Sequence, residues 1–102
     1  MKIEVFYFDG CPHVRATVER LNRVLEESGL NCPITQTRVG DHEAAQSVGF
    51  LGSPTVRIND VDIDPSARSR TEFGIMCRTY DGSGVPPEAM FRSAIAEIVR
   101  TG

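Results

Sequence analysis

Apolar and polar positions divide this chain into short blocks of two periods. Residues Lys2 to Phe8 carry Ile3, Val5, Phe6 and Phe8, the pattern of a largely buried strand. Asp9-Gly10 breaks it. After Pro12 the spacing changes, with Val14, Val18, Leu21 and Leu25 at helical intervals. Pro12 suits a first helical turn because its missing N–H has no partner there in any case. Ser28-Gly29 then stops the helix. Cys32 to Val39 reads as a second strand, with Ile34 and Val39 apolar. Asp41 is a natural N-cap for a short helix whose apolar face is Ala44, Ala45 and Val48, and Gly49 ends it.

The second half begins with Phe50-Leu51-Gly52-Ser53-Pro54-Thr55, which leads into a strand over Thr55 to Ile58. Asn59-Asp60 is a hairpin turn signal, and Val61 and Ile63 start the returning strand. Asp64 to Glu72 is polar and arginine-rich and reads as an insertion or long loop. Phe73 to Tyr80 resumes an apolar character with Ile75, Met76, Cys77 and Tyr80. Asp81 to Pro86 is a turn. Pro87 opens a last helix that buries Met90, Phe91, Ala94, Ile95, Ile98 and Val99. The order β-α-β-α-β-β-α predicts an α/β domain over residues 1–102, a mixed sheet flanked by helices.

Composition changes this picture little. Hydrophobic residues make up 40% and charged residues 25% of the 102, ordinary values for a globular domain. The net charge of -3 supplies no basic field for nucleic acid or an anionic membrane. No apolar run approaches the roughly 20 residues that span a bilayer, and the first residues are too charged for a signal peptide. A cytoplasmic protein is the expectation, with no nucleic-acid or membrane partner. No glycine-rich phosphate loop, paired zinc-type cysteine motif or serine nucleophile elbow is present, and no cofactor is expected.

The cysteines change it more. There are three, Cys11, Cys32 and Cys77, an odd count that suits free thiols better than a disulfide framework. Cys11 stands where the first helix begins. Unpaired N–H groups and the positive end of the helix dipole there favour the thiolate, which is both nucleophile and soft-metal ligand. His13 is a candidate for proton transfer, or for stabilising the thiolate when charged, against the plainer reading of a solvent-facing ring. Cys32 reads as a small buried hydrophobe. Tyr80 reads as core or interface, and His42 as exposed. Arg57, Arg68, Arg70 and Arg78 read as a solvated loop and strand face, with a site for an anionic thiol such as glutathione as the alternative.

Two motifs resemble the thioredoxin superfamily. One is Phe8-Asp9-Gly10-Cys11-Pro12-His13-Val14 between the first strand and first helix. The other is Gly49-Phe50-Leu51-Gly52-Ser53-Pro54-Thr55 before the third strand. The resemblance implies a thioredoxin fold and a cis Ser53–Pro54 peptide beside Cys11. It also implies a binding surface from Pro12, Ser53, Pro54 and Thr55, with the Ser53 backbone edge-on to an incoming thiol or peptide. Redox-active members carry Cys-x-x-Cys, whereas here Val14 stands at the fourth position. A mixed disulfide at Cys11 therefore has no local resolving partner.

Cys77 is the substitute the family plan suggests. There the last strand runs antiparallel to the third and ends beside the cis-proline, so Cys77, late in Phe73 to Tyr80, is expected near Cys11. Ile75-Met76-Cys77-Arg78-Thr79-Tyr80 also resembles a cysteine-bearing stretch of organomercurial lyases, which implies affinity for soft ions such as Hg(II). That family's aspartate, three positions after its first cysteine, corresponds here to Val14.

The expectation is thus a thiol protein acting through Cys11, with Cys77 and His13 as further catalytic candidates. It would work in thiol-disulfide exchange or thiol ligation on a small thiol, glutathione or a protein. The alternative is a non-enzymatic module of the same fold that binds a protein partner or a soft metal.

Overall fold

A computed structural model describes residues 1–80 and 82–101, the side chains of residues 99–101 excepted. Asp81, placed in the turn, and the Val99 side chain, placed in the core, lie outside the described residues. The elements are β1 (Ile3–Tyr7), α1 (Val14–Glu27), β2 (Ile34–Arg38), α2 (His42–Val48), β3 (Thr55–Ile58), β4 (Val61–Asp62) and α3 (Glu88–Thr101). A single turn of 3-10 helix, Pro65–Ala67, follows β4.

The four strands form one mixed sheet in the order β2-β1-β3-β4. β1 runs parallel to β2, with Ile3 opposite Ile34 and Tyr7 opposite Arg38. It runs antiparallel to β3, with Ile3 opposite Ile58 and Phe6 opposite Thr55. Side chains alternate across a strand, so β1 sends Ile3 and Val5 to one face and Phe6 to the other. On the first face Val5, Val56 and Ile58 pack with Leu21, Val24 and Leu25 of α1 and Phe91, Ala94 and Ile95 of α3. On the second face Phe6 and Val39 pack with Ala45 and Phe50, at α2 and its exit. The sheet therefore has helices on both sides.

Local signals work as their chemistry dictates. The Asp41 side chain caps α2 by accepting from Ala44 N–H, and Gly49 closes it at φ 70°. Asn59 and Asp60 both take positive φ, 52° and 67°, the two-residue turn that matches strand twist.

Other boundaries move. α1 begins at Val14, so Pro12 sits in the preceding turn rather than in the first helical turn. Thr17 is buried on its inner face beside the expected leucines. Val48 is exposed at the end of α2, because seven residues bury only the Ala45 line. The Asp64–Glu72 loop is not wholly solvated, since Ala67 is buried.

The largest correction concerns Phe73–Tyr80, which is not a strand of the sheet. Its backbone makes isolated bridges only, Ser53 with Cys77 in parallel and Tyr80 with Ser83. The reason lies in its side chains. Ile75 and Met76 are exposed while Arg78 and Tyr80 are buried, so the segment has no apolar face to lay on a sheet. No helix among the described residues is long and apolar enough to cross a membrane.

Candidate functional site

Strand register brings the two motifs to one end of the sheet. Cys11 follows the C-terminal end of β1, and Thr55 at the start of β3 lies opposite Phe6 near that same end. A salt bridge of 2.6 Å from Arg38 to Asp9 ties the loop before Cys11 to the end of β2. The Cys11 amide donates to the Phe8 carbonyl at 3.2 Å, turning the chain back toward α1.

The Cys11 thiol is half-buried and free, as are Cys32 in its half-buried position and Cys77 in its exposed one. Cys11 lines a cavity of about 330 Å³ whose other walls come from α1 (Val14, Arg15, Val18, Glu19) and β2 (Gln36). Cys32 is not the fully buried hydrophobe expected: its thiol reaches the Met1 carbonyl at 2.9 Å.

Pro12 is exposed. His13 is the N-cap of α1, yet its side chain caps nothing. Its carbonyl instead accepts from Thr17, through the amide at 3.0 Å and the hydroxyl at 2.7 Å. His13 is half-buried rather than solvent-facing, because its ring lies against Gly84. A Cβ at Gly84 would lie 2.2 Å from the ring's Cδ2. His13 thus joins the start of α1 to the turn beyond Tyr80.

The Ser53–Pro54 peptide is cis. Ser53, Pro54 and Thr55 are buried. Both backbone groups of Ser53 are engaged within the chain: its N–H donates to the Met76 carbonyl at 2.8 Å and its carbonyl accepts from Arg78 N–H at 3.0 Å. Cys77, between those two residues, is thereby paired with Ser53 at the edge where an incoming thiol or peptide was expected. Gly52, at φ 114°, permits this approach; a Cβ there would stand 3.0 Å from Arg78 Cβ and 3.1 Å from the Met76 carbonyl. The Ser53 hydroxyl is buried without a hydrogen-bond partner among the described residues.

Beneath Cys77 lies a polar cluster that sequence reasoning missed. Arg78, read as part of a solvated face, is 4% exposed. Its guanidinium donates to both carboxylate oxygens of Asp62, at 2.8 and 2.9 Å, and to Thr55 Oγ1 at 3.3 Å. It also lies 4.5 Å over the Tyr80 ring. Burial works to lower the Arg78 pKa, but the Asp62 hydrogen bonds and the surrounding charges outweigh it, so the group is held charged. The Tyr80 hydroxyl donates to the Pro54 carbonyl, and burial pushes its pKa well above the usual phenol value. No local signal marks Arg78, because its counter-ion Asp62 lies 16 residues away.

The other three arginines are also engaged. Arg57 donates to the Val48 and Gly49 carbonyls, Arg68 pairs with Glu97 and Arg70 with Glu72. Among the described residues no three His, Cys, Asp or Glu side chains cluster to hold a metal ion. No known protein family matches the chain, and neither a curated protein nor a solved structure is significantly similar to it.

Proposed function

We propose that this is a thioredoxin-like thiol protein that works through Cys11 in thiol-disulfide exchange or thiol ligation, with Cys77 as the second participant. The observation that carries this reading is the pairing of Cys77 with Ser53, on the loop that enters β3 at the end of the sheet where Cys11 leaves β1. Cys11 and Cys77 belong to segments at the same end of the sheet, and both thiols are free and at least partly accessible.

In exchange, the Cys11 thiolate attacks one sulfur of a disulfide. That S–S bond breaks, a mixed disulfide forms on Cys11, and the released thiolate takes a proton from solvent. Val14 leaves no resolving thiol on the same turn of α1. Release then requires a second thiol, either Cys77 or a small thiol such as glutathione, which reduces the mixed disulfide and is itself oxidised.

A second reading, a non-enzymatic module holding a soft metal or a partner, is favoured by one observation. Met76–Arg78 already occupies the Ser53 edge, which leaves less backbone for a peptide substrate to pair with.

The test is single-cysteine chemistry on the full chain. Exchange predicts turnover of a glutathione-coupled disulfide that Cys11→Ser abolishes and Cys32→Ser leaves unchanged. Mild oxidation followed by mass mapping is expected to find a Cys11–Cys77 link. Ligation predicts no turnover, with Hg(II) affinity lost in both Cys11→Ser and Cys77→Ser. An unreactive Cys11 together with Hg(II) binding indifferent to both substitutions overturns the proposal.

A further inference from the structure

Three arginines of the second half, Arg57, Arg68 and Arg70, line one cavity. It holds about 420 Å³, within the range of small-molecule sites, and lies between the β3–β4 hairpin and the loop that follows it. Its apolar surface comes from Leu51, Val61, Ala67 and Phe73, and Arg57, Arg68 and Arg70 stand around it.

Most charges at this cavity already have partners. Asp60 pairs with Lys2 at 3.1 Å, Asp62 with the buried Arg78, Arg68 with Glu97 and Arg70 with Glu72. Arg57 is the exception. No carboxylate of the described residues lies within salt-bridge distance of it: its register partners Glu4 on β1 and Asp62 on β4 pair instead with Lys2 at 3.5 Å and Arg78 at 2.8 Å. Yet the Arg57 guanidinium is firmly held. Its Nη2 donates to the Val48 carbonyl at 2.7 Å and the Gly49 carbonyl at 2.8 Å, and its Cζ sits 4.7 Å from the centroid of the Phe6 ring. The Phe73 ring stands beside it: a Cβ at Gly49 would lie 3.5 Å from both Arg57 Nη2 and Phe73 Cε1. Neutral carbonyls and an aromatic face fix the cation without cancelling its charge, and its Nε and Nη1 donate to no described protein group. A fixed guanidinium with free donors next to an apolar surface matches a planar anion on an apolar body.

We infer that this cavity binds a small organic anion, a carboxylate or similar group on an apolar or aromatic body, with Arg57 as the charged anchor and Phe73, Leu51 and Val61 as the apolar contact. The site is separate from Cys11, which lines a different cavity, and its occupation does not depend on thiol chemistry.

The test uses 2-naphthoate as the probe on the full chain, followed by calorimetry and amide chemical shifts. Saturable binding is expected, with shifts centred on Leu51, Arg57, Val61 and Phe73. 2-Naphthalenemethanol, which lacks the charge, and acetate, which lacks the apolar body, should each bind at least tenfold more weakly. Arg57→Gln should weaken 2-naphthoate at least tenfold, while Cys11→Ser leaves it unchanged. Absence of saturable binding, equal affinity for acid and alcohol, shifts centred elsewhere, or full affinity in a folded Arg57→Gln chain each overturns the inference. Should Arg57→Gln fail to fold, the acid-against-alcohol comparison on the unaltered chain decides.

Discussion

Arg78 shows how much one side chain can hold in place. It carries a full charge at 4% exposure, and Asp62, at 8%, faces it through two hydrogen bonds. A pair of this kind adds little relative to a well-packed apolar pair, but breaking it leaves one charge buried without its counter-ion. Arg78→Met is therefore expected to cost about 3–5 kcal/mol in urea denaturation. The double variant Arg78→Met, Asp62→Leu should recover most of that loss, because neither charge then remains. A single variant within experimental error of the unaltered chain would refute the coupling. From the sequence, Arg78 is one of six arginines in the second half of the chain. Nothing in its local pattern tells a solvated guanidinium from one aimed at Asp62 across 16 residues.

At the scale of elements, the Met76–Arg78 segment matters most. It is too irregular to be a strand, yet with the following Tyr80 it is fixed at three points: two hydrogen bonds to the Ser53 backbone, the Arg78–Asp62 pair, and the Tyr80 hydroxyl on the Pro54 carbonyl. Gly52 is the backbone position that allows the contact. Gly52→Ala puts a Cβ against Met76 and Arg78 at a φ of 114° that L side chains rarely adopt. It is expected to destabilise the fold by roughly 1–3 kcal/mol. Amide exchange should show the effect locally, with the Ser53 and Arg78 N–H groups losing protection before the β1–β3 ladder does. Uniform loss across the sheet would argue that Gly52 serves the core instead. The apolar residues Ile75 and Met76 suggested a buried strand. They are exposed because the edge they follow is a loop rather than an extended partner, and a loop offers two backbone groups where a strand offers a ladder.

At the scale of the molecule, the two helical layers and the sheet between them set a global stability to which the Tyr80 phenol is linked. An unfolded phenol titrates near pH 10. In the folded chain burial raises that value, so above pH 10 the unfolded state loses a proton that the folded state keeps. The contribution of Tyr80 is thus complete below about pH 10 and falls as pH rises from there toward the folded value. Denaturation midpoints measured from pH 8 to 11 should decline over the upper part of that range. Tyr80→Phe should flatten the decline while costing about 1–3 kcal/mol at neutral pH, because the Pro54 carbonyl loses its donor. The same slope in both chains would place the alkaline sensitivity elsewhere.

The sequence alone determined whatever is written in neighbouring residues. The 3.6-residue spacing of α1 and α3, the Asp41 cap and Gly49 stop of α2, the Asn59-Asp60 turn and the alternation of β1 are local preferences, and they stand where local chemistry puts them. The tertiary structure alone decided what depends on pairing across the chain. It buried Arg78 against Asp62, set Cys77 against Ser53, packed His13 on Gly84 and held Arg57 on the Val48 and Gly49 carbonyls. Each of these contacts joins residues with no periodic relation. Their geometry follows from sheet register and loop path, and their energy follows from burial, neither of which a run of residues encodes by itself.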